Sequence, residues 1–353
     1  MTARPLRRTA RWAAALSALA LAALALVACG DDGGADGQVT LRLGYFANLT
    51  HAQALVGLAD GTFQQELGPN VKIAAKVFNA GPMEIEALFA GELDVAFIGP
   101  NPTVNGWVKS KGEALHIVSG AASGGALLVV RPEANITTSA DLAGKKIASP
   151  QLGGTQDVAL RSYVLKAGLK TKENGGSVTV LPTANADTIT LFKKGDIDGA
   201  WLPEPWASRL VSEAGGKVLL DERTLWRGGR FVTTQLIVSS SFLKKHPAQV
   251  EALVRANVLV TQAMNANPAR AKEAVNAEIK RITGAALAPE VIEQAWANIE
   301  FTWDPIASSL RTSTDAAFAL GFLGGSKPNL DGIYDLAPLN RVLDALKLPQ
   351  VKE

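Results

Sequence analysis

Residues 91–111 read Gly-Glu-Leu-Asp-Val-Ala-Phe-Ile-Gly-Pro-Asn-Pro-Thr-Val-Asn-Gly-Trp-Val-Lys-Ser-Lys. Val95–Ile98 is a short apolar run with no polar alternation, the pattern of a strand covered on both faces. Gly99-Pro100-Asn101-Pro102 breaks it, and Thr103–Lys111 carries helical spacing. A covered strand followed at once by a helix is the repeating unit of a largely parallel sheet.

The unit recurs in both directions. Upstream lie candidate strands Val39–Tyr45 and Val71–Phe78 with helical stretches His51–Leu67 and Met83–Ala90. Downstream come strands Leu115–Ser119 and Ala126–Arg131, then Lys145–Ala148, Val178–Leu181, Gly199–Trp201 and Lys217–Leu219, with helices near Thr155–Ala167, Ala186–Lys193 and Glu204–Ala214. Ser119–Ala126 is too glycine-rich for a regular element and reads either as a turn or as a rim segment offering serine hydroxyls such as Ser123. Phe231–Ser239 reads as a long strand, followed by helices over Pro247–Asn265, Pro268–Ile282, Pro289–Ile299, Asp304–Leu320 and Leu336–Leu346. This order predicts an α/β chain of two lobes, 39–130 with 233–353 and 131–232, crossing between lobes near Val129–Pro132 and Thr233–Ser239, with a helical C-terminal region. Two crossovers permit hinge closure on a ligand held in the cleft between the lobes.

The chain has 353 residues, 35 basic and 33 acidic. Arg4, Arg7, Arg8 and Arg11 are the only charges in residues 1–28, so the rest is slightly acidic and carries no basic run suited to a phosphate backbone. No nucleic acid partner is expected. Residues 1–28 have a cationic start, an apolar run from Trp12 to Val27 and small residues before Cys29, the pattern of an export signal. Leu26-Val27-Ala28-Cys29-Gly30 is similar to a bacterial lipobox, which implies cleavage before Cys29 and lipidation of its sulfur. Residues 29–38 read as lipid anchor and flexible Gly/Asp tether, placing the protein on the extracytoplasmic face of the cell membrane. Cys29 is the only cysteine, so the sequence offers no disulfide, thiolate nucleophile or Cys-ligated metal.

Four stretches carry a family resemblance: Leu43–Ala52 (LGYFANLTHA), Gly91–Pro100 (GELDVAFIGP), Asp141–Ala148 (DLAGKKIA) and Trp201–Trp206 (WLPEPW). Over about residues 39–345 the chain resembles the substrate-binding proteins of ABC importers for aliphatic sulfonates, taurine and nitrate. The resemblance implies a two-lobed, type II-like periplasmic-binding-protein fold, a small organic anion as ligand, an ABC permease and its ATPase as partners, and a monomer without cofactor.

A sulfonate keeps its charge at physiological pH and offers three acceptor oxygens, so its site needs donors more than a full cation. Helix N-termini supply them, because their first N–H groups lack intrahelical partners and the dipole favours an anion. Three junctions fit: Asn79-Ala80-Gly81-Pro82, Gly99-Pro100-Asn101-Pro102 and Gln151-Leu152-Gly153-Gly154-Thr155-Gln156. The candidate ligand residues are thus Gly81, Gly99, Asn101, Gly153, Gly154, Thr155 and Gln156, with His51 as a neutral or charged donor. Tyr45, Phe46 and Asn48 share the His51 loop, and Trp206 could wall the ligand from the other lobe. Each has a bland reading as a helix start or core residue. Glu204, between prolines, is either a favourable acid at a helix start or a cleft carboxylate that would select an amine-bearing ligand such as taurine.

No Gly-x-Ser-x-Gly, His-Glu-x-x-His or P-loop pattern is present, so hydrolysis, metal chemistry and nucleotide binding lack their parts. Bilane synthase and the yeast-type pyrimidine synthases, enzymes of related architecture, depend on cysteines absent after Cys29. The expectation is a binding protein and not an enzyme. Binding of nitrate or a thiamine pyrimidine precursor, and a sensory role in place of transport, are the alternatives.

Overall fold

The structure, a computed structural model, describes residues 38–353; the expected export signal, Cys29 and the tether up to Gly37 lie outside the described residues. Eleven strands are found among the described residues: β1 (Val39–Phe46), β2 (Val71–Phe78), β3 (Val95–Ile98), β4 (Leu115–Gly124), β5 (Ala126–Val130), β6 (Lys146–Ser149), β7 (Thr179–Pro182), β8 (Gly199–Pro203), β9 (Lys217–Asp221), β10 (Val232–Ser239) and β11 (Ile299–Phe301). They form two sheets, ordered β11-β4-β10-β3-β1-β2 and β7-β6-β8-β5-β9. The two-sheet α/β fold read from the sequence is the observed one.

In the first sheet β1 and β3 are parallel, while β10 runs antiparallel to both β3 and β4. In the second, β6 is parallel to β7 and β8, and β5 is antiparallel to β8 and β9. β5 and β10 are therefore the strands by which the chain enters the second sheet and returns to the first. Each is buried throughout except for Ser239 at the end of β10; β5 is accordingly a continuous apolar run, and β10 is apolar apart from Thr233, Thr234, Gln235 and Ser239. Leu128, Ile147, Leu160 and Trp201 pack on one face of the second sheet, and Val129, Ala148, Phe192 and Leu210 on the other.

Two sequence expectations are corrected by the strand pairing. β5, expected to end the first lobe, pairs within the second sheet, so the chain changes sheet at Gly124-Gly125 and not at Val129–Pro132. It returns between β9 and β10, upstream of the expected Thr233–Ser239. The glycine-rich segment, expected to be irregular, is the second half of β4. Its glycines make room for the chain at 298–304, which crosses close beside it: Gly120 N–H donates to Trp303 O at 2.7 Å, and Gly125 N–H to Asn298 O at 2.7 Å. A Cβ at Gly120 would lie 2.2 Å from Asp304 O, so any side chain there would displace that crossing. The crossing also creates β11, where the sequence suggested the end of a helix. His51–Leu67 is likewise not one helix but two, Ala52–Ala59 and Thr62–Leu67, broken where Gly61 takes a φ of +80°.

Candidate functional site

Strands β1, β2 and β3 of one sheet and β6, β7 and β8 of the other direct their carboxyl ends toward one cavity, the position at which open α/β sheets collect ligands. The first sheet contributes Phe46, Asn48, Thr50, His51, Asn79, Gly81, Gly99, Thr233 and Thr234 to its wall. The second contributes Pro150, Gln151, Gly154, Thr155, Gln156, Asn185 and Pro203. About 40 Å³ is open to the centre of a water molecule, room for roughly three waters at the ~10–15 Å³ each requires. The two sides meet closely: a Cβ at Gly99 would stand 2.2 Å from Thr155 Oγ1.

Four helices begin at this cavity: Gly81–Phe89, Pro100–Lys109, Thr155–Lys166 and Asn185–Lys194. Their N-cap residues are Ala80, Gly99, Gly154 and Ala184, and none makes a side-chain cap hydrogen bond. Ser, Thr, Asn and Asp are the residues that normally cap such ends. Their replacement by Ala and Gly leaves first-turn N–H groups available and lets an anion approach the backbone. The helices at Thr155 and Asn185 keep all their first-turn N–H groups, whereas Pro100 and Pro102 remove two from the start of Pro100–Lys109 and Pro82 removes one from Gly81–Phe89. Asp157 fixes the loop before Thr155, accepting from Gly153 N at 3.0 Å, Ser149 Oγ at 2.8 Å and Arg161 Nε at 2.9 Å.

Among the described residues no Lys, Arg, Asp or Glu lines the cavity. His51 is buried and its ring lies 4.2 Å from that of Phe46, while its Nδ1 accepts from Phe46 N–H at 3.3 Å. Burial holds its pKa down at about 3, so the imidazole is neutral with its proton on Nε2. Of the two forms considered from sequence, burial favours the neutral one. Gln151 Oε1, Asn185 Oδ1 and Thr234 Oγ1 are buried in the wall without a hydrogen-bond partner in the protein, three polar groups whose burial is costly until something in the cavity meets them.

Of the residues singled out from sequence, Phe46, Asn48, His51, Gly81, Gly99, Gly154, Thr155 and Gln156 come together here. Six lie elsewhere. Tyr45 is buried beside Glu278 and Arg281. Asn101 accepts from Ser313 Oγ at 2.9 Å and faces a neighbouring cavity. Ser123 Oγ accepts from Phe231 N–H at 3.3 Å, joining β4 to the start of β10. Gly153 lines a separate surface hollow. Glu204 is fully buried, accepting from Ser208 N at 3.0 Å, Ser208 Oγ at 2.9 Å and Asn298 Nδ2 at 2.7 Å. Its environment raises its pKa, chiefly through burial, but its oxygens face a helix start and Asn298 and not the cavity. Trp206 donates to Asn48 Oδ1 at 2.7 Å from behind the wall. Thr50, Asn185, Thr233 and Thr234 were not distinguished by sequence; the strand-to-helix junction Pro182-Thr183-Ala184-Asn185 repeats the small-residue pattern of the other three.

A family model described as the NMT1-like family matches residues 34–279. The chain belongs to the NMT1-like family. A Brucella abortus (strain 2308) protein named as a candidate binding protein is 26% identical over 250 residues, 71% of this chain and 73% of that protein. Among solved structures, the alkanesulfonate-binding protein SsuA of Xanthomonas axonopodis pv. citri, bound to MOPS, superposes with a TM-score of 0.71 at 20% identity, covering 84% of this chain and 98% of that one. The periplasmic nitrate-binding protein NrtA of Synechocystis PCC 6803 superposes with a TM-score of 0.74 at 16% identity, covering 88% of this chain and 90% of that one. At these identities the likenesses show that this NMT1-like chain shares the fold of both.

Proposed function

We propose that this protein is the extracytoplasmic solute-binding component of an ABC importer, that it captures a small organic sulfonate in the cavity between its sheets, and that it delivers the ligand to a membrane permease driven by a partner ATPase. The observation that carries this reading is the convergence of four helix N-termini, capped only by Ala and Gly, on a cavity whose described wall holds no Lys, Arg, Asp or Glu. Backbone donors, Thr155, Gln156 and the neutral His51 match three sulfonate oxygens without a counter-ion. No bond is broken; the chain binds, closes and releases as a monomer. Closure requires a ligand that prefers the closed state, and donors from both sheets supply that preference.

Taurine is disfavoured against a plain alkanesulfonate, because no carboxylate stands in the wall to meet its ammonium. Nitrate is the second reading, favoured by the small free volume and by the nitrate-binding structural neighbour. Lipid anchoring through Cys29 is supported by the lipobox-like Leu26–Gly30. In a strain lacking this gene, growth on ethanesulfonate as sole sulfur source should fail and return with the wild-type gene. Growth unaffected by the deletion, with a transcriptional response to sulfonate lost instead, would replace transport with sensing.

A further inference from the structure

A second cavity shares Thr155 with the first and is walled by Val158 and Tyr163 of helix Thr155–Lys166 and by Glu222, Trp226 and Phe231 on the return from β9 to β10. About 60 Å³ of it is open to the centre of a water molecule. Glu222 is 2% exposed. Its Oε2 accepts from Trp201 Nε1 at 2.8 Å and its Oε1 from Trp226 Nε1 at 3.3 Å. Both donors are neutral indoles. Among the described residues no Lys or Arg is ion-paired with Glu222: Lys166, the one cation in the lining, is exposed and makes no ion pair with it, and Arg223, its chain neighbour, is committed to Asp221 at 2.6 Å. A buried carboxylate without a positive partner is costly, and hydrogen bonds from neutral donors offset that only in part.

The rest of the wall indicates which cation would complete it. Trp226 and Phe231 stack with ring centroids 5.2 Å apart, and Tyr163 stands edge-on to Trp201 at 5.6 Å. Aromatic walls attract a cation through their quadrupoles and solvate alkyl groups at the same time. A metal ion needs several hard oxygen or nitrogen ligands, and no group of three or more His, Cys, Asp or Glu among the described residues could hold one. We propose that this chamber binds an organic ammonium group, its charge on Glu222 and its alkyl substituents against Tyr163, Trp226 and Phe231. The site is distinct from the sulfonate cavity and does not rest on that reading.

The test is calorimetric titration of the protein with tetramethylammonium chloride and, separately, with tert-butanol, a neutral molecule of similar shape. The cation should bind saturably and at least tenfold more tightly than the alcohol. Glu222→Gln, which keeps an acceptor for Trp201, and Trp226→Leu should each weaken the cation at least tenfold while leaving sulfonate affinity unchanged. Equal affinity for cation and alcohol, no saturable heat from the cation, or undiminished cation binding by a folded Glu222→Gln protein would overturn the assignment. The wild-type comparison decides the matter if either variant fails to fold.

Discussion

Trp206 Nε1 donates to Asn48 Oδ1 at 2.7 Å, tying the residue that follows β8 of one sheet to the loop that follows β1 of the other. Beside it, Leu49 N–H donates to Glu204 O at 3.2 Å and Asn298 Nδ2 to Glu204 Oε1 at 2.7 Å. These bonds bridge the two sides of the cavity, and Asn48, which lines it, is held in place by Trp206 from the other side.

Trp206→Phe removes the indole donor and keeps the ring. A lost hydrogen bond is worth about 1 kcal/mol, and because it is made across the cleft, ligand affinity should fall roughly five- to tenfold. Thermal unfolding without ligand should move little. A large loss of stability with unchanged affinity would show Trp206 to be a core residue and nothing more.

Gly99 has φ −74°, which any residue can adopt, so its absence of a side chain answers to space alone. Gly99→Ala would set a methyl 2.2 Å from Thr155 Oγ1 and hold the two sides apart. Affinity should drop by at least tenfold, and small-angle scattering should report a larger radius of gyration with ligand than for the wild type. Wild-type affinity in Gly99→Ala would mean that the Gly99–Thr155 approach is not needed for binding.

His51 is held neutral, with its pKa lowered to about 3 by burial. Its folded pKa lies below its unfolded value, so it contributes stability above about pH 6.5 that is lost as pH falls toward 3. Glu222 acts in the opposite sense: burial raises its pKa to about 7, so it favours the folded state below about pH 4.5 and loses that contribution as pH rises through 7. The two trends oppose each other between pH 5 and 6.5, and the wild-type profile alone will not separate them. Relative to wild type, His51→Gln should therefore gain about 2 kcal/mol between pH 7 and pH 5, read from denaturant unfolding at each pH. A difference that does not change with pH would show that His51 is not buried neutral.

Glu204 lies outside the cavity wall, fully occupied by Ser208 and Asn298. Glu204→Gln should cost stability, by about 1–3 kcal/mol for disturbing a buried hydrogen-bonded carboxylate, and leave the ratio of taurine to ethanesulfonate affinity unchanged. A shift of that ratio toward ethanesulfonate would restore Glu204 as the partner of a ligand amine.

Most strands were legible because covered strands must be apolar wherever they lie: β3, buried throughout, falls at the predicted bounds, as does the partly exposed edge strand β2. Which sheet a strand joins was not legible: Ala126–Val130 reads the same paired with β4 or with β8, and only the tertiary register decides. The second half of β4 was hidden because its glycines serve the chain crossing at 298–304, a contact nearly 180 residues distant that leaves no local pattern. Within the site, the small-residue helix starts at Gly81, Gly99 and Gly154 could be found because a helix start capped by Ala or Gly is a local pattern of a few adjacent residues. Which of the two readings of Glu204 holds, helix-start acid or cleft carboxylate, was not legible for the converse reason, since its partner Asn298 lies 94 residues away.

The most direct test of the account is calorimetric titration of the protein with ethanesulfonate, taurine, nitrate and a thiamine pyrimidine precursor at two pH values, 6 and 8. The account predicts tight binding of ethanesulfonate, weaker binding of taurine, and affinities that do not change between the two pH values, because the cavity holds no titrating side chain in that range. Silence from ethanesulfonate, or binding that requires the lower pH, would contradict it.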